Sequence, residues 1–413
     1  MKKRIVITGM GTVNPLGNNV NDFWTNIRAG KCGITLNDRF DTTEYASKIA
    51  GLVKDFNASE IIGKRESRSM AHFTQYAVAA SMEAMKQAGL AKGEFDEDRA
   101  GVVLGNGIGG FEVIEEALEK IFTAGPRRVH PMTIPKMITN EGPANVAITH
   151  GCKGPVCSIA TACASATDAI GHAATLIQAG KADIMITGGT EGGVTKLGIA
   201  GFNVIQALST RNDAPEKACR PFDKDRDGFI HSEGAGILVI ESLENAQARG
   251  AKILAEIVGY GSTCDANHLT APHPEGTGAA KAMEVALKDA GLKPEDIDYI
   301  NAHGTSTPTN DPLETKSIKL VFGDYAYKVR ISSTKSMHGH CVGAAGGVEA
   351  IVGVKAIEDN YVPATINLDE PDPECDLDYT PNVGVETKVD TIMSNSLGFG
   401  GHNGILIITR FKA

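Results

Sequence analysis

The sequence has little that would mark a membrane or secreted protein. No apolar run approaches the length of about 20 residues that a membrane-spanning helix needs. The basic start Met1-Lys2-Lys3-Arg4 is followed by Ile5-Val6-Ile7, which is too short for the apolar core of a signal peptide. The eight cysteines lack the dense spacing of small disulfide-bonded domains. We therefore expect a cytoplasmic protein with free thiols and no membrane association.

Several kinds of ligand site are also missing from the sequence. Cys152, Cys157 and Cys163 form no CxxC pair, so we expect no zinc site and no metal among the site residues. No GxxxxGKS/T segment occurs, which excludes P-loop chemistry. The 50 acidic and 40 basic side chains give a net charge of −10, which disfavours a nucleic-acid partner. An acidic partner would need a local basic patch.

What the chain does have is glycine at the ends of apolar runs. Many of its 47 glycines follow short strand-like segments, as expected where strands lead into tight turns. The candidate strands are 4–8, 101–104, 184–187 and 236–240, and helical patterns such as 73–88 and 166–179 lie between them. This alternation predicts an α/β fold whose strands pair in parallel through helical crossovers.

The two parts of the chain carry similar segments in the same order. The segment 234–241 (GAGILVIE) has a counterpart at 401–408 (GHNGILII), and each closes one half of the chain. Further pairs are the strand ends 7–9 and 257–259, the strand ends 103–105 and 300–302, the helix starts at 163 and 343, and the segments 186–189 and 393–396. This repeat predicts two α/β halves, residues 1–250 and 251–413. Because the identity is weak, a common α/β rhythm without duplication is the alternative.

Two motifs suggest ligands that we do not expect. Residues 105–110 match the GxGxxG of dinucleotide-binding loops, but that loop should follow the first strand, where Gly9-Met10-Gly11 lacks the third glycine. Residues 223–228 match the opening of an EF-hand calcium loop, but Gly234 stands where the bidentate glutamate belongs. A solvated or salt-bridged turn is the better interpretation of the second motif.

A cysteine lies where a predicted strand gives way to a helix. Cys163 is in the small-residue run 158–166 (SIATACASA), which places its thiol in the first turn of the helix. Unpaired N–H groups and the positive end of the helix dipole favour the thiolate there, and the thiolate is the nucleophilic form. The alternative is a small buried apolar residue, as most free cysteines are.

Two histidine-bearing turns in the second half are candidate partners of this thiol. His303 lies in 301–308 (NAHGTSTP) and His340 in 333–340 (STKSMHGH), and both segments follow predicted strands. Parallel strands present such turns at the sheet edge where the Cys163 helix begins, so the three side chains can converge. Taken alone, His303 is better explained as a loop histidine bonded to the backbone.

Together these segments resemble a known family. The motifs around Cys163, His303 and His340, with 395–401 (NSLGFGG), 9–17 (GMGTVNPLG), 208–212 (LSTRN) and 221–229, are similar to those of the β-ketoacyl-acyl-carrier-protein synthases, most closely the synthase II branch. The resemblance covers essentially the whole chain. It implies a thiolase-like fold of two similar halves in a five-layered α-β-α-β-α arrangement, usually in a homodimer.

The resemblance also implies a reaction. An acyl chain passes from a carrier protein to Cys163, and malonyl-acyl-carrier protein loses carbon dioxide. The resulting carbanion attacks the acyl thioester, which gives a β-ketoacyl chain two carbons longer, as in type II fatty acid synthesis. The acyl and malonyl thioesters are carried on phosphopantetheine, and we expect no other cofactor.

The resemblance assigns roles to the site residues. The N–H groups of Cys163 and Phe399 would receive the thioester oxygen, and Phe399 would also gate the acyl pocket. His303 and His340 would donate to the enolate oxygen, while Lys335 keeps both histidines neutral. Supporting and substrate-binding positions are Glu349 as partner of Lys335, Ile108 at the acyl tunnel, Thr305 and Thr307 at pantetheine, and Thr270. An ordinary helix glutamate is the alternative for Glu349.

An acidic enzyme needs a basic surface to bind an acidic carrier protein. We expect that surface in two short clusters, Lys64, Arg65 and Arg68 with Arg127 and Arg128, and a solvated basic face is the alternative. The chain departs from the family pattern at Gln206 and Ser69, where basic residues are usual, at His338, where an uncharged residue is usual, and at His402. We expect a weaker or displaced carrier contact, and a His338 that can titrate near the pocket.

Three other functions share parts of this pattern. A synthase I or a polyketide ketosynthase has the same Cys-His-His set and a different acyl tunnel. A non-catalytic chain-length partner of a heterodimer lacks the nucleophile, so Cys163 argues against it. A nicotinamide oxidoreductase would need the loop after Gly105 to bind a pyrophosphate.

Overall fold

The computed structural model describes residues 2–412. Its strands are β1 (Ile5–Val13), β2 (Ile34–Leu36), β3 (Ile49–Gly51), β4 (Ala100–Gly105), β5 (Val156–Ile159), β6 (Ile184–Glu191), β7 (Gly234–Ser242), β8 (Ala255–Cys264), β9 (Tyr299–Asn301), β10 (Arg330–Ser332), β11 (Tyr361–Val362), β12 (Val385–Glu386), β13 (Thr391–Gly398) and β14 (His402–Thr409).

The α-helices lie between these strands. They are α1 (Val20–Arg28), α2 (Ala58–Ile61), α3 (Lys64–Ser67), α4 (His72–Ala88), α5 (Phe111–Ala124), α6 (Thr133–Met137), α7 (Glu141–His150), α8 (Ser165–Gln178), α9 (Lys196–Val204), α10 (Leu243–Ala248), α11 (Thr277–Ala290), α12 (Asn310–Phe322), α13 (Lys335–His338) and α14 (Ala345–Asp359). Short 3-10 turns, Ala162–Ala164 and Val342–Ala344, lead into α8 and α14. Within residues 2–412, no helix combines the length and the apolar character needed to cross a membrane.

One ten-stranded sheet joins the two parts of the chain. Its order is β10-β9-β13-β14-β8-β1-β7-β6-β4-β5, with the junction between β8 and β1. Read outward from that junction, one side runs β1, β7, β6, β4, β5 and the other runs β8, β14, β13, β9, β10. Numbered along the chain within each part, both sides therefore follow the order first, fifth, fourth, second and third strand. The strand directions match as well. The prediction of two similar halves is therefore confirmed, and their boundary at residue 250 stays a prediction.

The predicted strands fall on β1, β4, β6 and β7, but their predicted pairing is only partly right. β4 pairs in parallel with β6, whereas β7 runs antiparallel to both β6 and β1. β1 is also longer than predicted, since Gly9 and Gly11 let helix α4 lie directly on the strand. A Cβ at Gly9 would lie 2.1 Å from the Ala84 carbonyl oxygen.

Helices α8 and α14 lie between the two sides of the sheet. Helix α8 contacts β4 and β6 on one side and β14 on the other, and α14 contacts β7 and β13. The approach is close, because a Cβ at Gly347 would lie 2.2 Å from the Gly236 carbonyl oxygen. Helices α4 and α11 cover the outer faces at β1 and β7 and at β8 and β14. This arrangement is the predicted five-layered thiolase-like fold.

Candidate active site

Cys163 lies in a strained turn between β5 and α8. The preceding Ala162 has a φ of +49°, which a residue with a Cβ adopts only when its surroundings hold it there. The Ser165 hydroxyl ties the turn by accepting from the Thr161 N–H at 2.9 Å and donating to the Ala162 carbonyl at 2.6 Å. The predicted position at a helix start is thus correct, with a 3-10 turn ahead of the α-helix.

The second half repeats this turn without the thiol. Val342 has a φ of +44° ahead of α14, as Ala162 does ahead of α8. Gly343 stands in the place that Cys163 has in the first half. A Cβ there would lie 2.3 Å from the Gly107 nitrogen, so the packing leaves no room for a side chain. Only the first half can therefore carry the thiol.

His303 and His340 lie beside Cys163. The cysteine sulfur and a ring nitrogen of each histidine all lie within 4.8 Å of one another. The two ring centroids are 5.3 Å apart and the rings are nearly perpendicular, at 86°. His303 follows β9, and His340 follows α13 and donates its backbone N–H to the Ile230 carbonyl at 2.8 Å. The structure brings together the three residues that the sequence predicted.

Both histidines are neutral because of where they lie. They are almost fully buried, and burial lowers the pKa of each ring well below its usual value. The Lys335 ammonium is the second cause and acts on both rings in the same direction. Lys335 is itself fully buried and bonded to the buried Glu349, as predicted. Burial raises the pKa of that carboxyl to about 7, against the opposing effect of Lys335.

The environment of Cys163 corrects our expectation of a favoured thiolate. Burial raises the pKa of the thiol to about 12, and it outweighs the Lys335 ammonium and the Phe399 N–H, which act in the opposite direction. The predicted helix-terminus effect is therefore too small to ionise this group. At rest Cys163 is therefore a thiol, and a role as nucleophile would require its proton to pass to another group.

The Phe399 loop closes over the cysteine turn. Gly398 lies so close that a Cβ there would be 2.8 Å from the Thr161 carbonyl oxygen and 3.2 Å from the Cys163 nitrogen. Gly400 and Gly401 have φ angles of +84° and +75°, which bend the chain sharply after Phe399. The Phe399 ring is about one-third exposed, and its centroid lies 6.5 Å from that of Phe202.

A cavity of about 500 Å³ leads to these groups. Its walls include the catalytic candidates Cys163, His303 and His340 and the predicted oxyanion and gate residue Phe399. They also include every predicted substrate-binding position, namely Ile108, Thr270, Thr305 and Thr307. Gln206 lies at the same cavity, in a left-handed conformation with a φ of +54°. Lys335 and Glu349 are not on the walls and act from behind them.

Two buried carboxyl groups near the site were missed in the sequence. Glu191, at the end of β6, accepts from the N–H groups of Gly107 at 2.9 Å and Gly343 at 3.1 Å, and burial raises its pKa to about 8. Glu314, on α12, accepts from the N–H groups of His303 and Gly304, both at 2.8 Å. Neither glutamate belongs to a recognisable motif, so only the folded chain identifies them.

Glu191 also explains the GxGxxG segment. The N–H groups that would cradle a pyrophosphate instead face this carboxyl and the Asn106 side chain, which accepts from the Gly109 N–H at 2.6 Å. The same segment places Ile108 on the cavity wall. The expectation that it binds no nucleotide stays a prediction.

Cysteine and histidine are also zinc ligands, and the site contains one cysteine and two histidines. The Lys335 ammonium acts on all three groups and disfavours a cation among them. That the protein holds no metal or cofactor stays a prediction.

Comparison with known proteins places these observations in a family. Two models, "Beta-ketoacyl synthase, N-terminal domain" and "Beta-ketoacyl synthase, C-terminal domain", match residues 2–246 and 254–369. The chain belongs to the β-ketoacyl synthase family. Proteins named "3-oxoacyl-[acyl-carrier-protein] synthase 2" from Staphylococcus aureus and Synechocystis sp. are 52% and 50% identical over 411 residues, which is 100% of this chain and 99% of each relative.

Solved structures of β-ketoacyl synthases have the same fold. A β-ketoacyl synthase from Burkholderia phymatum superimposes with a TM-score of 0.92 at 36% identity, covering 99% of this chain and all of the other. A structure titled as a type II PKS acyl-carrier protein in complex with its ketosynthase gives 0.92 at 36%, with both chains fully covered. The predicted family, thiolase-like fold and condensing, acyl-transferring enzyme class are confirmed.

The remaining predicted residues of the synthase lie outside the cavity. Lys64, Arg65 and Arg68 are exposed at and just after α3, and Arg127 and Arg128 are exposed in a 3-10 turn after α5. Ser69, which stands where a basic residue is usual in the family, donates its hydroxyl to the Glu66 backbone carbonyl at 2.7 Å. A role of these clusters in carrier binding stays a prediction.

The environment of His338 also differs from our expectation. Its ring is fully buried and lies 3.1 Å from the Thr334 hydroxyl. Burial and, secondarily, Lys335 lower the pKa of the ring to about 3. The expectation that His338 can titrate near the pocket is therefore wrong at ordinary pH, because the ring has no access to water and faces a cation.

Proposed function

We propose that this chain condenses an acyl group held on Cys163 with malonyl-acyl-carrier protein and releases a β-ketoacyl-acyl-carrier protein two carbons longer, in type II fatty acid synthesis. The observation that carries the proposal is the meeting of one thiol and two neutral imidazoles within 4.8 Å at a cavity of about 500 Å³. Relatives with half of their residues in common are named for this reaction.

The first step is transfer of the acyl group to Cys163. The sulfur attacks the incoming thioester carbonyl, and the N–H groups of Cys163 and Phe399 receive the negative charge that develops on its oxygen. Since the resting group is a thiol, its proton passes to one of the adjacent neutral imidazoles. The leaving pantetheine sulfur then takes that proton, so the site returns to its original charge.

The second step is decarboxylation of the malonyl group. Loss of carbon dioxide leaves an enolate, and ring N–H groups of His303 and His340 donate to its oxygen. The low pKa of both rings keeps a non-protonated nitrogen on each, so neither forms an ion pair with the malonyl carboxylate. The enolate carbon attacks the acyl thioester, and the bond between the acyl carbon and the Cys163 sulfur breaks. The sulfur leaves as a thiolate and takes up one proton from water, which restores the thiol.

We also propose an acidic acyl-carrier protein as the partner. The exposed clusters of Lys64, Arg65 and Arg68 and of Arg127 and Arg128 supply positive charge on a chain of net charge −10. The solved relative in complex with its acyl-carrier protein supports a partner of this kind. The free state of all eight cysteines fits a cytoplasmic location.

A homodimer is the proposed assembly. Strand β5 ends the ten-stranded sheet, so one edge of its backbone has no neighbour among residues 2–412. Val156 on that strand is 40% exposed, and Ile148, on the contacting helix α7, is 71% exposed. An unpaired edge flanked by exposed apolar side chains is a surface that a second copy can cover. We expect Ile148→Glu to give monomers in light scattering and the exposed control Leu36→Glu to leave dimers.

Product mass tests the proposed reaction. The purified chain is given malonyl-acyl-carrier protein and acyl-carrier proteins of increasing chain length, and each product is weighed intact. We expect β-ketoacyl products two carbons longer, with the preferred lengths defining the acyl pocket. Decarboxylation of malonyl-acyl-carrier protein without any elongated product would contradict the proposal and would favour a chain-length partner or another condensing role.

A further inference from the structure

The turn at Asp223–Gly228 has a structural use that its calcium-like sequence does not suggest. Asp223 is fully buried, and one of its carboxylate oxygens accepts from the N–H groups of Asp369 and Glu370, both at 2.9 Å. The other oxygen accepts from the Asp225 N–H at 2.9 Å and pairs with Arg220 at 3.0 Å. The first carboxylate of the motif is thus bonded to protein groups and does not face a common cation position.

Arg226, in the middle of this turn, reaches the second half of the chain. Its side chain is 4% exposed, and its Nε donates to the Thr307 carbonyl at 2.9 Å. A terminal nitrogen donates to the Pro308 carbonyl at 3.2 Å, and the other donates to the Asp372 carboxylate at 2.6 Å. This planar fork fits two adjacent carbonyl groups and an acid, a geometry that a lysine cannot reproduce.

The segment that Arg226 holds carries two threonines of the cavity wall. Ser306, between them, is in a left-handed conformation with a φ of +69°. Its carbonyl accepts from the Gly228 N–H and its hydroxyl from the Arg220 N–H, both at 3.0 Å. The Thr305 and Thr307 hydroxyls lie 3.0 Å apart, and both residues line the cavity.

We propose that Arg226 is a positioning residue that fixes the Thr305 and Thr307 hydroxyls against the amide groups of the pantetheine arm. Arg226 is not a lining residue of the cavity, and by binding the carbonyls of Thr307 and Pro308 it holds the backbone of this segment in one orientation. The inference rests on the proposed function, because it requires a pantetheine thioester as the substrate.

The test compares two malonyl donors. Malonyl-acyl-carrier protein offers the full pantetheine arm, whereas the malonyl thioester of ethanethiol has no amide group. Arg226→Lys keeps the charge beside Asp372 but loses the fork to the two carbonyls. We expect it to raise KM for decarboxylation of the carrier-bound donor about tenfold, the effect of weakening two hydrogen bonds, with kcat nearly unchanged. KM for the amide-free thioester should change less than twofold.

Two further measurements separate positioning from a general loss of structure. The rate of Cys163 alkylation by iodoacetamide should be the same in Arg226→Lys and the wild type. In a double-mutant cycle, Thr305→Val should raise KM for the carrier-bound donor much less in the Arg226→Lys background than in the wild type, because the Thr305 hydroxyl is already displaced in that background.

An equal rise in KM for both donors, slower alkylation, or additive effects of the two substitutions would overturn the inference. A wild-type chain that decarboxylates neither donor would overturn the proposed function and this inference with it, whereas an active wild type with an unaffected Arg226→Lys variant would overturn the inference alone.

Discussion

Replacing His338 by glutamine should make the protein less sensitive to acid. The histidine ring is fully buried, lies 6.2 Å from the Phe23 ring between centroids, and has a pKa lowered to about 3 by burial and by Lys335. In the unfolded chain a histidine has a pKa of about 6.5. As the pH falls below about 6.5, the unfolded state binds a proton that the folded state refuses, and stability is lost.

The size of the effect follows from the two pKa values. For one such group, each pH unit below about 6.5 lowers the free energy of unfolding by about 1.4 kcal/mol, until the pKa of the folded state is reached. Between pH 7.5 and pH 4.5 His338 should therefore remove about 3 kcal/mol from the free energy of unfolding. Glutamine is similar in size and does not titrate, so His338→Gln should lack this part of the loss.

Urea unfolding at pH 7.5 and pH 4.5 measures the difference. We expect the free energy of unfolding to fall by about 3 kcal/mol less in His338→Gln than in the wild type. Phe23→Leu is the matched control, because it weakens packing around His338 but keeps the titrating ring. That variant should lose stability with pH as the wild type does. Equal losses in the wild type and His338→Gln would refute the reasoning.

Three further predictions concern the site and its packing. Lys335→Met should lower the free energy of unfolding by about 3 to 5 kcal/mol, because Glu349 is left buried without its cation. In urea unfolding, the double variant Lys335→Met/Glu349→Met should recover most of that stability, and no recovery would contradict the pairing. His303→Ala or His340→Ala should slow malonyl decarboxylation by about 100- to 1000-fold and slow self-acylation less, and equal losses in radiolabel assays of the two steps would contradict the division of roles. Gly347→Ala should lower the midpoint of unfolding, since its Cβ would meet the Gly236 carbonyl at 2.2 Å, whereas Gly201→Ala has open space and should not; similar midpoints would contradict the packing.

The two similar halves were predictable because segments of the chain repeat, whereas the five-layered arrangement was implied by the family resemblance. Paired segments such as 234–241 and 401–408 became β7 and β14, which hold the same place in the sheet order of their halves. The antiparallel direction of β7 was not predictable, since strand periodicity carries no information on direction. The length of β1 depended on glycines at a helix contact that only the folded chain reveals.

The site was predictable where its residues lie in motifs. Cys163, His303 and His340 are each in a distinctive turn, and the fold brings those turns together. Electrostatics was less predictable, because burial by distant segments affects the pKa of Cys163 more than the N–H groups of its own turn do. Glu191 and Glu314 were missed for the same reason: single carboxyls take on meaning only from the N–H groups that surround them.

Acylation of Cys163 is the most direct test of the central claim. The wild type, Cys163→Ala and Cys157→Ala are incubated with an acyl-acyl-carrier protein and weighed intact; Cys157, on the neighbouring strand β5, is the matched control. We predict one acyl adduct on the wild type and on Cys157→Ala and none on Cys163→Ala, with the mass mapped to the peptide that contains Cys163. An acyl adduct that persists on Cys163→Ala would contradict the account.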